Sequence, residues 1–218
     1  MRRRPYTPIE RQRTVDAGRD RILTAAREVL ELDHVATFSL DAVARRAGVT
    51  RMTVYNQFGS RAGLLEALFD LLVERSAFRE MSAVLSETDH VAAFDALVAI
   101  FGRFYTENRP VLVRLSAVAG SDPDLDEAMR VRNERRRRAI ETLVQRLPKG
   151  QRTGVAPGEL VNALDVMLSF NTFNAIAGPN RTPNDVVAVM RQVIHGLLEG
   201  PKRKRSSAAK SARKRRSK

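Results

Sequence analysis

Cysteine is missing from all 218 residues, which excludes a disulfide framework and a thiolate metal site and fits an intracellular chain. Long apolar runs are missing too. None reaches the roughly 18 residues of a membrane-spanning helix, so no membrane partner is expected. The first residues, MRRRPYTPIERQR, lack the apolar stretch of a secretory signal. Cytoplasmic residence, in association with the nucleoid, is therefore expected. The chain also lacks a phosphate-cradling GxxxxGK[ST], an HExxH pair and a strand able to support a dinucleotide fingerprint. His34, His90 and His195 stand isolated from one another and read as structural or surface groups. No enzyme, no cofactor and no metal site is expected from this inventory.

Charge is unevenly distributed. Lysine and arginine exceed aspartate and glutamate by 13, yet residues 202–218 hold ten of the cations and no acid, leaving +3 for residues 1–200. Such a segment cannot bury enough apolar surface to order itself, so residues 201–218 are expected to be a disordered polybasic tail. A solubilising tail, a targeting signal and an accessory DNA clamp are its competing readings, and the clamp is preferred. Residues 42–65, by contrast, combine basic and neutral polar side chains without a single carboxylate.

Proline and glycine fall between amphipathic segments, and the pattern predicts an all-α chain. The spacing predicts helices over about 19–32, 40–47, 51–58, 60–80, 90–107, 110–119, 123–147, 157–177 and 183–199. Ser39, Thr50 and Ser60 are helix caps, Gly48 suits a left-handed helix end, and Asp122-Pro123 and Thr182-Pro183 mark further starts. One strand-like piece, His34 to Leu40, has no evident partner. The chain divides into a basic N-terminal arm (1–18), a small three-helix unit (19–65), a larger helical domain (66–200) and the tail (201–218).

The two short helices joined by Ala47-Gly48-Val49-Thr50 form a helix-turn-helix. At about 100° per residue, Val54 and Phe58 turn inward. Met52 and Asn56 lie opposite, flanked by Thr53 and Gln57 on one side and Tyr55 on the other. Asparagine and glutamine amides can read adenine, methionine and threonine methyls can touch thymine, and hydroxyls can bond phosphate. Ser39, Thr50, Arg51 and Arg61 complete the candidate DNA-contacting set, and double-stranded DNA is the expected partner.

These residues carry a family resemblance. Ile22-Leu23-x-Ala25-Ala26, then Ser39-x-x-x-Val43-Ala44-x-x-Ala47-Gly48-Val49, then Thr53-Val54-Tyr55-x-x-Phe58-x-x-Arg61-x-x-Leu64-Leu65 resembles the DNA-binding domain of TetR-family transcriptional regulators. The resemblance implies phosphate contacts from Thr53 and Tyr55 and a backbone grip from Arg61. Asn56-Gln57 departs from the aromatic and histidine that many members carry there, which bears on the operator sequence. It also implies a C-terminal domain for dimerisation and ligand binding.

Two features of residues 66–200 bear on that expectation. Phe94, Phe101, Phe104 and Tyr105 share one helical face, a stripe that is more often core than pocket; in the family the equivalent region commonly surrounds an apolar ligand. With Met167, Phe170, Asn171 and Asn174 they form the candidate effector site, for a small molecule of unknown identity. Helices 157–177 and 183–199 are apolar enough to form a homodimer's four-helix bundle. Arg130, Arg132 and the run Arg135 to Arg138, alternating with Glu134 and Glu141, read as a solvated face. The sequence thus points to a repressor released from a palindromic operator by its effector. A nucleoid-type architectural protein dominated by its basic tail is the alternative, and a helical enzyme with a borrowed DNA-binding domain a third.

Overall fold

In the computed structural model the described residues are 8–32, 38–119, 123–148 and 155–200. They form ten α-helices and no strand. The strand-like piece lies largely outside them, as do the first seven residues and the basic tail.

Helix α1 spans Pro8–Leu32 and begins eleven residues before the predicted start, so the expected arm is helical from Pro8 on. Proline with its fixed φ is compatible with a first helical turn, which position alone did not suggest. Its Ile22, Leu23, Ala26, Val29 and Leu30 are buried against the helices that follow. Helix α2 (Leu40–Ala47) starts at Ser39, whose hydroxyl accepts from Ala42 N at 3.2 Å. It stops at Gly48, where φ is 65°. Gly48 N and Val49 N then reach back to the carbonyls of Arg45 and Ala44. Helix α3 (Arg51–Phe58) follows after Thr50, and α4 (Arg61–Glu74) after Ser60, each capped by its hydroxyl. The α3–α4 corner is tight. A methyl group at Gly63 would lie 2.2 Å from the Phe58 carbonyl oxygen, so only glycine fits.

Helix α4 ends at Glu74, earlier than predicted, and a 3-10 turn (Ala77–Glu80) leads into the short α5 (Met81–Ser86). The larger unit continues with α6 (His90–Ala119), α7 (Pro123–Gln145), α8 (Pro157–Met167), α9 (Phe170–Ala177) and α10 (Pro183–Glu199). Two boundaries differ from expectation. The break predicted at residues 108–110 does not occur, and α6 runs unbroken through Pro110. Proline forfeits one backbone bond there, but Val111, Leu112 and Leu115 beyond it are buried and Asn108 Nδ2 donates to the Phe104 carbonyl at 2.9 Å. Conversely, the helix predicted over 157–177 is two, bent by 51°. Ser169 adopts extended dihedrals and caps α9 through Thr172 N.

A continuous hydrophobic core joins α1 and α4 to the larger unit. Among the described residues no single helix is long and apolar enough to cross a membrane, although the bent α8–α9 pair passes by composition. Most of its apolar side chains, Leu160, Leu164, Leu168, Phe170 and Phe173 among them, are buried within the bundle.

Candidate nucleic-acid interface and internal cavity

Helix α3 is held from behind and open in front. Val54 is fully buried, and the Arg19 guanidinium sits 4.6 Å over the Phe58 ring. On the outer face Met52 is 63% and Tyr55 54% exposed, large values for side chains of that size. Asn56 is exposed beside them. Thr50 accepts from Thr53 N at 3.1 Å, and the two threonine hydroxyls lie 2.9 Å apart. When Thr50 donates in that pair, the Thr53 proton is left for an outside acceptor. Arg51 is exposed and reaches Asp41 Oδ2 at 3.6 Å. Ser39, half-buried, spends its oxygen on the cap of α2. Half-buried Arg61 lies 5.8 Å over the Phe38 ring at the start of α4.

Gln57 sits differently from the outward position expected of it. It is half-buried, a methyl group at Gly18 would lie 3.8 Å from its Nε2, and its Oε1 is buried without a hydrogen-bond partner among the described residues. Its place at the edge of the outer face lets α1 cover it.

Behind α3, helices α4, α5, α6, α7 and α9 line a partly open cavity of about 210 Å³. Phe69, Val73, Phe101, Phe104, Tyr105, Leu112 and Phe170 give it an apolar lining, and Arg132, Asn133, Arg135 and Arg136 of α7 form one polar wall. Among the described residues no carboxylate lines it. Tyr105 is the centre of the aromatic cluster, its ring 5.5 Å from those of both Phe170 and Phe173. Its hydroxyl donates to the Leu168 carbonyl at 2.7 Å, a group released where α8 ends. Burial pushes the Tyr105 phenol up to about 12, with the Arg136 charge pulling the other way. Arg136 pairs with Asp165 at 2.8 Å with its side chain only 10% exposed. Arg132 lies 4.2 Å over the Phe69 ring and donates to the Ala128 and Glu66 carbonyls. Burial lowers its pKa, Asp70 opposing and Arg135 reinforcing the shift.

Comparison with known proteins agrees with this geometry. Residues 22–68 match the family model described as bacterial regulatory proteins, tetR family. The chain is 30% identical over 171 residues to the HTH-type transcriptional regulator SrpR of Pseudomonas putida, covering 72% of this chain and 70% of SrpR. The chain belongs to the TetR family. It is also 29% identical over 209 residues to the regulator EthR of Mycolicibacterium smegmatis, covering 88% and 94% of the two chains. Two other curated relatives are matched over only 57% of their own length. Among solved structures, NalD of Pseudomonas aeruginosa, the secondary repressor of the MexAB-OprM multidrug efflux pump, superposes with a TM-score of 0.66 at 23% identity. That match covers 84% of this chain and 96% of NalD, and it speaks to the fold.

For a TetR-family regulator, the candidate effector residues divide. Phe101, Phe104, Tyr105 and Phe170 line the cavity, whereas Phe94, Met167, Asn171 and Asn174 do not. Phe94 is solid core, Met167 packs half-buried on the core, and Asn171 is exposed. Asn174 accepts from Arg109 Nε at 2.9 Å. The break at Ser169 re-aims α9, so its faces do not continue those of α8. The arginine run is not wholly a solvated face either, since Arg132 and Arg136 turn inward with side chains 16% and 10% exposed. Helical spacing from buried Leu125 and Ala128 to Ile140 and Leu143 passes through both positions, and that was the available signal. His195 is not isolated; its Nε2 lies 2.8 Å from Asp95 Oδ1.

Proposed function

We propose that this TetR-family DNA-binding transcriptional regulator acts as a homodimeric repressor, gripping a palindromic operator with α3 and leaving it when a small molecule fills the cavity. The observation carrying this reading is the pairing of an exposed, carboxylate-free reading helix with a cavity walled by α4, the helix that follows directly. In the proposed complex Tyr55, Thr53 and Arg61 hold phosphates while Met52 and Asn56 touch base edges. Arg51 joins them by leaving Asp41, and Gln57, half-buried, contributes through α3 packing.

A single reading helix binds weakly, and two-fold pairing supplies the second. Helices α8 and α10 are the proposed dimer face. Val166 on α8 is 64% and Val193 on α10 41% exposed, and a side chain at Gly196 would meet open space. The effector acts by preferring the subunit arrangement with badly spaced reading helices, and it shifts the equilibrium only by that difference in affinity.

Selection of bound fragments from random DNA, followed by footprinting, tests the reading. A discrete palindrome protected over two half-sites is expected. Sequence-blind coating would replace the repressor with an architectural DNA-binding protein. Sedimentation at micromolar concentration is expected to give a dimer, and a stable monomer would remove α8 and α10 as the interface.

A further inference from the structure

The polar wall of the cavity has one sign. Arg132, Arg135 and Arg136 line it with Asn133, and among the described residues no acid does. Two carboxylates offset these charges from outside the lining. Asp165 pairs with Arg136 at 2.8 Å, and Asp70 lies 3.5 Å from Arg132 and 3.9 Å from Arg135. Three guanidiniums thus share two ion-paired carboxylates, and the exposed Glu66 carboxylate adds a solvent-screened offset at Arg132, so the wall beside the apolar chamber stays basic. Of the two guanidiniums that turn inward, Arg132 is less compensated than Arg136. The Arg132 Nε is buried without a hydrogen-bond partner among the described residues, and Asp70 is 66% exposed, so that pair is weakened by solvent. An arginine keeps its proton in such a site, so the charge persists.

A neutral apolar guest would leave that donor unsatisfied, and a cationic one would be repelled. An anion with an apolar body satisfies both halves of the cavity. Charge-assisted bonds from a guanidinium to a carboxylate are among the stronger ones available in a half-buried setting. The volume, about 210 Å³, exceeds the roughly 150 Å³ of an engineered apolar cavity that binds benzene, so a compact guest fits.

We infer that the cavity takes a small organic acid, its carboxylate seated on Arg132 and Arg136 and its hydrocarbon part against Phe101, Phe104 and Phe170. This rests on the reading of the cavity as the effector site. The seat has a mechanical consequence. Arg132 also donates to the Glu66 carbonyl of α4 at 2.9 Å, so an acid that draws the guanidinium inward loosens a tie to the helix following the reading unit.

Calorimetric titration of the full chain with octanoate, octanamide and octylammonium tests the inference. Octanoate is expected to bind roughly tenfold or more tighter than its isosteric amide, and octylammonium weakest of the three. In Arg132→Met, which keeps an unbranched apolar side chain and removes the guanidinium that lies over Phe69, octanoate is expected to fall to the level of the amide. Arg132→Lys, keeping a charge, should retain part of the preference. The wild-type ratio is decisive even if a variant folds poorly. Octanamide binding as tightly as octanoate would overturn the acid and leave a neutral effector standing. Binding by none of the three would also overturn it, while the footprint separately decides whether the chain is a repressor.

Discussion

Tyr105 shows how one hydroxyl can tie a ring cluster to a backbone. Its phenol is buried, donates to the Leu168 carbonyl and is pushed up to about 12. The unfolded chain loses that proton near pH 10, so the contribution is complete below about pH 10 and is lost as pH rises toward 12, at roughly 1.4 kcal/mol per unit. Tyr105→Phe is expected to lower stability by about 1–2 kcal/mol at neutral pH, by leaving the carbonyl unpaired. It should also flatten the alkaline decline, which urea melts of both proteins at pH 9 and 11 would read. An equal decline in both would assign it to other groups. On α3 the DNA contacts proposed for the outward residues separate by role. Tyr55→Phe should weaken every DNA sequence alike, by about 1 kcal/mol. Asn56→Ala and Met52→Ala should instead change preference at one or two base pairs, by about 1–3 kcal/mol. Competition binding against a set of operator variants distinguishes them. A shifted preference in Tyr55→Phe, with none in Asn56→Ala, would reverse the faces.

At the scale of elements, the α3–α4 corner fixes the angle of the reading helix. With the Phe58 carbonyl 2.2 Å from where a methyl would sit, Gly63→Ala forces α4 or the corner to move. It should cost about 1–3 kcal/mol in stability and weaken operator binding further by tilting α3. Melting and anisotropy measured together test this, and unchanged values in both would mean the corner has slack. The closeness at Gly63 was not legible in the sequence, but the helix caps and the helix-turn-helix were, because their signals are local: Ser39, Thr50 and Ser60 bond to backbone three residues away, and Gly48 needs only its own φ. Beyond Glu74 the decisive contacts join residues distant in sequence. Pro110 reads as the start of a new helix, yet burial of the residues on both sides keeps α6 whole. Nothing apolar in the pattern marks the bend at Leu168, whose freed carbonyl is taken by a tyrosine 63 residues earlier. Arg132 and Arg136 look solvated until α4 and α8 supply Asp70 and Asp165.

For the molecule as a whole, affinity for DNA combines a geometric part and an ionic part, and the sequence places them at opposite ends. In the proposed complex, helix α3 and its caps supply the geometry. The excess charge lies in PKRKRSSAAKSARKRRSK, ten cations in residues 201–218, which fall outside the described residues. We propose that this segment is an accessory DNA clamp. Each lysine or arginine that neutralises a phosphate releases counterions and adds about −0.9 to the slope of log affinity against log salt. Ammonium and guanidinium groups laid on phosphates carry no base-reading geometry there, so specific and non-specific sites should gain alike. Truncation after Gly200 should therefore flatten the salt dependence and weaken non-specific binding most visibly at low salt, while the selected operator stays the same. Titrations of both proteins against operator and random DNA, over a salt series, read slope and preference separately. A truncated protein that kept the full slope would place the ten cations off the DNA, and one that selected a different operator would mean the segment reads bases after all.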